Sequence, residues 1–229
     1  MVRLSAGDKK KLLIVETCKK LFYNKGYSNT TYDDICTEAD IPPGSITYHF
    51  DGKRGIASVI EDEFERQNKI YIEKMCGGRF TKTQLMVIEN FNMWRRQTED
   101  ANLRHFILNM STERIPSNSA LEAVTYFYQC VIDDQKITGI DDKELHLIAA
   151  AQIGMSDSLF LAYAAHPEYY SYEYMARFAI RFFMRQIGIP DGKIQEFIED
   201  GWAIYQTLPI DNRYFKEFAY NEKYLKRLK

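Results

Sequence analysis

The sequence predicts an all-α fold, and three observations support that prediction. Apolar residues recur at spacings of three and four in almost every long segment, as they do on the buried face of an amphipathic helix. Glycine and proline number only 12 and 6 among 229 residues, so long stretches lack the turns that separate strands. No segment alternates apolar and polar residues convincingly. The number of periodic segments predicts about nine or ten helices.

Three short helices are predicted near the start of the chain. The first carries an apolar face over residues 13–22 and stops at Gly26. The second begins at Thr30 or Thr31, where a threonine hydroxyl can cap the free N–H groups of the first turn. The third opens at Pro43, because proline suits the first position of a helix.

A long helix is predicted to follow over residues 53–75, and Gly77 and Gly78 end it. Further helices are predicted over residues 82–97, 101–113, 118–136, 142–165, 172–186 and 192–207, and a last amphipathic segment covers residues 212–228. That last segment has apolar residues beside a basic end. It is interpreted either as a packing helix or as a second site for an anionic partner.

Composition and charge exclude several classes of protein. With 45% hydrophobic and 27% charged residues, the chain is globular rather than disordered. Its formal charge of −2 is not that of a strongly basic nucleic-acid-binding protein. Residues 1–56 nevertheless hold nine Lys and Arg against seven Asp and Glu, while the remainder is acidic. We therefore expect any phosphate binding to come from a few lysines, hydroxyls and helix ends.

Three further features predict a cytoplasmic protein. The four cysteines are scattered without a Cys-x-x-Cys pair, so we expect core residues in a reducing compartment rather than disulfides or zinc ligands. Residues 1–11 lack the apolar core of a signal peptide. The most apolar stretch, residues 145–165, is interrupted by polar side chains, so we expect no membrane span.

The clearest motif lies in the first quarter of the chain. The second and third predicted helices, joined by a tight turn, fit a helix-turn-helix unit that binds DNA. The pattern is Leu21-Phe22-x-x-x-Gly26-Tyr27-x-x-Thr30-Thr31, then Ile35-x-x-x-Ala39, then Gly44-Ser45-Ile46, and finally Tyr48-His49-Phe50-x-x-Lys53. In this order and spacing, the residues resemble the N-terminal domain of the TetR family of transcriptional regulators. The resemblance covers about residues 8–56.

This resemblance implies a domain division and a DNA-binding site. It implies a helix-turn-helix domain over residues 1–52 and a larger helical domain for ligand binding and dimerisation over residues 53–229, with helix 53–75 bridging the two. Positions that contact the DNA backbone in the family correspond to Thr31, Tyr48 and Lys53. The recognition helix that faces the major groove corresponds to Pro43, Gly44, Ser45, Thr47 and His49.

The recognition helix departs from the family pattern at several positions. Prolines stand where polar residues are usual, Thr47 replaces a frequent tyrosine, and Asp40 replaces the usual turn glycine, whose left-handed conformation aspartate can adopt. The helix has no Arg or Lys that could bind guanine. Base reading would then rest on Ser45, Thr47 and His49, with apolar contact from Pro43 to thymine methyl groups.

The larger domain contains candidates for a ligand pocket. Its middle helices are rich in aromatic and sulfur-containing side chains, which suit a flat or apolar effector. The predicted contacts are Phe91, Trp94, His105, Phe106, Met110, Tyr126, Phe127, Phe160 and Tyr163, with His105, Arg95 or Gln152 as polar anchors. Most of these residues can equally be ordinary core residues, and we expect a minority of them to touch a ligand.

Two later helices are predicted to form a homodimer. Small residues at 149–151, Gly154 and Ser158 would allow another helix to approach closely, as would Ala176 and Ala179 on the next helix. By the resemblance, these two helices build a four-helix bundle between two copies of the chain. Two recognition helices must meet successive major grooves about 34–36 Å apart, which requires a two-fold dimer.

The helix-turn-helix pattern and the resemblance to the TetR family together imply a sequence-specific DNA-binding regulator. It is expected to be a repressor that a small-molecule ligand releases from a double-stranded DNA operator, with helix 53–75 as the lever. Two alternatives stay open, namely an all-helical adaptor that binds proteins and an enzyme that acts on a pocket ligand. No catalytic constellation, metal-ligand spacing or cofactor motif stands out, so no enzymatic activity, metal or cofactor is expected.

Overall fold

A computed structural model describes residues 5–115 and 120–210, and these residues form ten α-helices without a strand. The helices are α1 (Ala6–Lys25), α2 (Tyr32–Ala39), α3 (Gly44–His49), α4 (Gly52–Cys76), α5 (Lys82–Glu99), α6 (Ala101–Thr112), α7 (Ala120–Gln135), α8 (Asp142–Ala165), α9 (Tyr172–Gln186) and α10 (Asp191–Thr207). The predicted all-α fold is confirmed. The segment predicted over residues 212–228, and the helix start predicted at residue 118, lie outside the described residues.

The ends of the helices follow capping rules that the sequence displays. Before α8, Asp141 accepts hydrogen bonds from two first-turn N–H groups at 2.9 and 2.8 Å. Before α9, Ser171 accepts a hydrogen bond from the N–H of Tyr174 at 3.1 Å. Both helices begin and end at the predicted residues. Gly26 ends α1 with a φ of +89°, a conformation that strains any residue with a Cβ.

By compactness, the described chain divides into two units, and the division falls inside α4. The first unit consists of residues 5–64 and 100–115, and the second consists of residues 65–99 and 120–210. α6 therefore groups with the first three helices, although it follows α5 in the sequence. The functional division that we predicted after residue 52 stays a prediction.

The core of the first unit lies among its short helices. Phe22, Ile35 and Ile46, one from each of α1, α2 and α3, are at most 1% exposed. The ring of Phe22 stacks on the ring of Phe106 in α6, with centroids 6.0 Å apart. The three helices of the predicted DNA-binding motif thus share a core that also includes α6.

Side chains from α1 and α4 hold both ends of α6. At its start, Asp100 caps the helix and accepts a hydrogen bond from the hydroxyl of Tyr23 in α1 at 2.8 Å. After its last turn, the guanidinium of Arg54 in α4 donates to the backbone carbonyl oxygens of Glu113 and Arg114. A cation at the C-terminal end of a helix also interacts favourably with the helix dipole. The position of α6 is therefore fixed relative to the start of α4.

In the second unit, α5 is the central helix and packs against α7, α9 and α10. The contact with α10 is closest at Gly201, where an added Cβ would lie 2.3 Å from Cγ1 of Val87. Further along α5, the ring of Phe91 packs on Trp202 with centroids 4.8 Å apart. α8 packs against α7 and α9.

Candidate nucleic-acid interface

α3, the helix predicted to contact bases, has one buried anchor and several accessible polar side chains. Ile46 is fully buried, whereas Tyr48 is 83% exposed. The other predicted contacts in this segment are exposed or half-buried, namely Pro43, Gly44, Ser45, Thr47 and His49. Hydroxyl and imidazole groups of this kind can hydrogen-bond to base edges or to phosphate oxygens.

The turn between α2 and α3 has the conformation that the sequence predicts. Asp40 adopts φ +52° and ψ +55°, in the left-handed region, and its N–H donates to carbonyl oxygens at the end of α2. The next residue, Ile41, is buried and holds the turn against the core. Pro43 has helical dihedral angles and directly precedes α3, where a backbone N–H would have no partner inside the helix.

Thr31 caps α2 through reciprocal hydrogen bonds with Asp34. The N–H of Asp34 donates to Thr31 Oγ1 at 3.1 Å, and the N–H of Thr31 donates to the Asp34 carboxylate at 2.8 Å. Hydrogen bonds from Lys25 and Thr31 lower the pKa of Asp34 to about 2. The capping role of Thr31 is confirmed. Its contact with phosphate stays a prediction, and in this structure both its N–H and its hydroxyl donate to Asp34.

Lys53 is another residue predicted to contact the DNA backbone, and its ammonium group forms hydrogen bonds within the first unit. Nζ donates to the carbonyl oxygens of Tyr27 and Thr30 at 2.9 and 3.0 Å, and it lies 4.3 Å from the centroid of the Tyr27 ring. Partial burial lowers the pKa of this ammonium. An ammonium has three N–H donors, so the two carbonyl bonds leave one donor for a phosphate oxygen.

Tyr32 is a residue of this surface that the sequence reasoning missed. Its hydroxyl oxygen accepts a hydrogen bond from the backbone N–H of Lys53 at 3.0 Å. A Cβ at Gly52, whose φ is +63°, would lie only 2.6 Å from that oxygen. The start of α4 therefore rests on the start of α2. No local pattern indicates this contact, because its partners are about twenty residues apart in the sequence.

The nine predicted ligand contacts are divided between the two units. His105, Phe106 and Met110 lie on α6 in the first unit, and the other six lie in the second. In the second unit, the buried members of the set are Phe91, Trp94, Phe160 and Tyr163, while Phe127 is half-buried and Tyr126 is 67% exposed. Ligand contact by these residues stays a prediction. A pocket within the second unit would use the six residues of that group.

A seam of buried polar side chains between α4 and α5 was also missed. Nδ2 of Asn92 donates to Oδ1 of Asn68 at 2.6 Å, and both residues are at most 3% exposed. One turn further along α5, the guanidinium of Arg96 pairs with Glu65 at 3.1 Å. One turn before Asn92, Glu89 is buried as well. The available signal was the helical spacing of these polar residues within the apolar pattern of α5.

Comparisons with known proteins agree with this geometry. The family model for bacterial regulatory proteins of the tetR family matches residues 14–60. The "Probable HTH-type transcriptional regulator YttP" of Bacillus subtilis (strain 168) is 25% identical over 141 residues, which are 58% of this chain and 66% of that protein. The HTH-type negative transcriptional regulator IcaR of the biofilm operon icaADBC in Staphylococcus aureus is 44% identical over 43 residues, 19% of this chain and 23% of that protein. The chain thus spans just under two thirds of the first relative and about a quarter of the second.

Solved structures with a similar fold cover more of the chain. RolR in complex with resorcinol aligns with a TM-score of 0.64 at 12% identity, over 86% of this chain and 96% of that one. SmeT, the repressor of the Stenotrophomonas maltophilia multidrug efflux pump SmeDEF, aligns with a TM-score of 0.53 at 14% identity, over 79% and 94%. Identities this low show the fold alone. Residues 14–60 are therefore similar to the model of the tetR family of bacterial regulatory proteins, and the chain shares its fold with these solved structures.

Proposed function

We propose that this protein is a sequence-specific DNA-binding transcriptional regulator, a repressor that a small molecule releases from its operator. The observation that carries the proposal is α3, which is anchored by the buried Ile46 and has Thr47 and Tyr48 exposed to solvent. A recognition helix needs this arrangement, because one side must be fixed to the domain while the other enters the major groove. The curated relatives are transcriptional regulators, so we favour regulation over catalysis.

The proposed DNA contacts fall into two groups. Pro43, Gly44, Ser45, Thr47 and His49 would face base edges in the major groove. Tyr48, Lys53 and Thr31 would lie against the phosphate backbone. For Lys53, the phosphate contact would use the one donor that its two carbonyl bonds leave. Thr31 would act on DNA mainly by holding the first turn of α2 in place.

We further propose that two copies of the chain bind the operator as a dimer and that α8 and α9 form the contact between the two copies. Five exposed residues of α8 recur at intervals of three and four and form a single stripe, namely Leu147, Ala151, Gly154, Ser158 and Leu161. Within the described residues, α8 is the one helix long and apolar enough to cross a membrane, with a mean hydropathy of 1.3 over 18 residues. A helix covered by a second copy of the chain has the same composition, and the small residues at the centre of the stripe would let two such helices approach closely.

The proposed effector site lies in the second unit, and α6 provides a route from it to the DNA-binding helices. An apolar or aromatic molecule would bind among the aromatic residues of α5, α7 and α8. α6 follows directly after the end of α5, and its own ends are held by Tyr23 and Arg54. We propose that a ligand bound to α5 acts on α6, which follows α5 directly in the sequence, and through Arg54 on the start of α4.

The test is a selection of operator sites from random double-stranded DNA with the purified full chain. We expect enrichment of a palindromic site with half-sites about one helical turn apart. In fluorescence anisotropy with that site, Tyr48→Ala should weaken binding at least tenfold. The matched control is Tyr169→Ala, which truncates a tyrosine that is 71% exposed in the segment between α8 and α9 and should leave affinity unchanged. Failure of a folded dimer to enrich any site would instead favour the protein-binding adaptor.

A further inference from the structure

The turn between α1 and α2 brings together two residues predicted to contact the DNA backbone and a third cation. Thr31 ends the turn, and Nζ of Lys53 donates to the carbonyl oxygen of Thr30, the residue before it, at 3.0 Å. Lys25, in the last turn of α1, reaches the same place, because its ammonium pairs with Asp34 in the first turn of α2. The donors of Thr31 and the ammonium groups of Lys25 and Lys53 therefore lie around one short segment of the chain.

One carboxylate oxygen beside this turn accepts three hydrogen bonds. Oδ2 of Asp34 accepts from the N–H of Thr31 at 2.8 Å, from the hydroxyl of Thr31 at 2.8 Å and from the ammonium of Lys25. With a pKa of about 2, the Asp34 carboxyl is ionised at neutral pH. A phosphate oxygen is also an anionic acceptor and binds donors of the same kind. Asp34 and a DNA phosphate would therefore compete for the same three donors.

The ion pair of Lys25 and Asp34 is accessible from solvent. Their side chains are 44% and 29% exposed. Exposed ion pairs are weak, so a phosphate can displace the carboxylate from the ammonium. The carboxylate would nevertheless stay beside Thr31, because reciprocal hydrogen bonds between Asp34 and Thr31 cap α2. A phosphate bound here would therefore be repelled by a fixed negative charge.

We propose that Asp34 limits the affinity of this protein for the DNA backbone, by holding the ammonium of Lys25 and the donors of Thr31 that a phosphate would otherwise bind. The inference rests on the proposed function and adds to it a residue that opposes DNA binding. Phosphate contacts carry no sequence information, so Asp34 lowers the affinity for the operator and for unrelated DNA alike. Binding to unrelated DNA is then weak, and stable binding requires the base contacts of α3.

The sequence offers a matched control for the charge of Asp34. Asp33 is its exposed neighbour in the first turn of α2. Asp33→Asn makes the same change in net charge as Asp34→Asn, but it leaves the hydrogen bonds of Asp34 to Lys25 and Thr31 in place. Asp34→Asn keeps an oxygen that can accept from Thr31 and removes the charge that holds Lys25. The two variants therefore separate the release of Lys25 from a general gain of positive charge.

The experiment is fluorescence anisotropy of the purified full chain with two labelled duplexes, the selected operator and one of unrelated sequence, at several salt concentrations. For Asp34→Asn we expect at least about fivefold tighter binding of both duplexes, and a salt dependence steeper by about 0.9 per subunit, the value for one additional phosphate contact. Asp33→Asn should change affinity by less than about twofold, because salt screens an exposed charge that contacts no phosphate. Adding Lys25→Gln to Asp34→Asn should restore the wild-type affinity and salt dependence.

Three results would overturn the proposal. They are wild-type affinity in Asp34→Asn, an equal gain in Asp33→Asn, and a gain that persists after Lys25→Gln is added. Circular dichroism checks that each variant is folded. If Asp34→Asn is not, Asp34→Gln is compared with Asp34→Glu, because both residues suit this capping position and they differ in charge. The glutamine variant should then bind both duplexes more tightly.

The wild-type measurement keeps this proposal distinct from the proposed function. A folded wild-type protein that binds neither duplex would contradict DNA binding itself. Wild-type protein that binds DNA, together with an Asp34→Asn variant that binds equally well, would contradict the role of Asp34 alone.

Discussion

At the scale of single residues, the basic side chains of the first unit largely serve the fold itself. Lys53 binds two carbonyl oxygens, and Arg54 binds the end of α6. Lys25 pairs with Asp34, and Lys19 pairs with two glutamates of α1 and α4 at 2.9 and 2.7 Å. The count of nine Lys and Arg in residues 1–56 therefore overstates the number of cations that can bind phosphate. The exposed lysines at 9–11, at the start of α1, are better placed for that role.

Lys53 offers a test of this division between folding and DNA binding. Lys53→Met keeps the apolar stem and removes the ammonium, so two carbonyl oxygens lose a charged donor. We expect the free energy of unfolding to fall by about 1–2 kcal/mol, because hydrogen bonds to charged groups exceed neutral ones in strength. Urea denaturation followed by circular dichroism measures this change. Lys10→Met, at an exposed position of α1, is the control and should leave stability unchanged. Wild-type stability in Lys53→Met, combined with weaker operator binding, would mean that Lys53 acts on phosphate alone.

At the scale of helices, α5 and α10 make a close contact at Gly201, a glycine of α10. Gly201 has no side chain to separate the two helices, and Val87 of α5 fills the space where a Cβ would stand. Glycine costs a helix about 1 kcal/mol relative to alanine, so its use here indicates that close packing is worth more than helix propensity. The packing of α5 also matters for the proposed mechanism, because α6 follows directly after α5 in the sequence.

Gly201→Ala should therefore destabilise the protein despite the better helix propensity of alanine. The new Cβ would lie 2.3 Å from Cγ1 of Val87, and we expect a loss of about 1–2 kcal/mol in the free energy of unfolding. Val87→Ala should rescue the variant only in part, because its own Cβ would still lie 2.8 Å away. Gly192→Ala is the control on the same helix, since its Cβ would meet nothing within 4 Å, and it should not destabilise. Equal melting temperatures for the two alanine variants would contradict this account.

The helices show which parts of the fold the sequence can predict. α8 and α9 begin and end where the sequence predicts, because apolar periodicity, Asp141 and Ser171 are all local signals. The left-handed Asp40 and the cap at Thr31 were predictable for the same reason.

Contacts between distant residues were not predictable in this way. The grouping of α6 with α1 rests on Tyr23 and Asp100, which are 77 residues apart. The pair of Asn68 and Asn92 and the docking of Tyr32 against Gly52 are equally invisible to a local pattern. The short helix α3 and the turn before it could therefore be located from the sequence. The hydrogen bonds of Lys53 and the burial of Glu89 could not be predicted from the sequence, because both depend on the positions of other helices.

At the scale of the whole molecule, the DNA binding that we propose would depend on a second copy of the chain. A single six-residue recognition helix without Arg or Lys provides few strong base contacts, so useful affinity requires two half-sites bound together. The exposed stripe on α8 is the surface that we assign to this contact. Gly154 lies at its centre, and in the single chain a Cβ at this position would meet nothing within 4 Å.

Gly154→Glu tests the proposed dimer contact, because the substitution should prevent dimerisation without disturbing the fold of the single chain. In the single chain the new side chain has room, and replacing a helical glycine should keep or slightly raise stability. In the proposed dimer it would place two carboxylates between closely packed helices, at a high cost in desolvation and repulsion. We therefore expect light scattering after size-exclusion chromatography to show monomers, and operator affinity to fall at least a hundredfold. Gly192→Glu makes the same change at another open glycine, on α10, and should leave the dimer intact. A Gly154→Glu dimer that binds the operator normally would require a different surface to join the two chains.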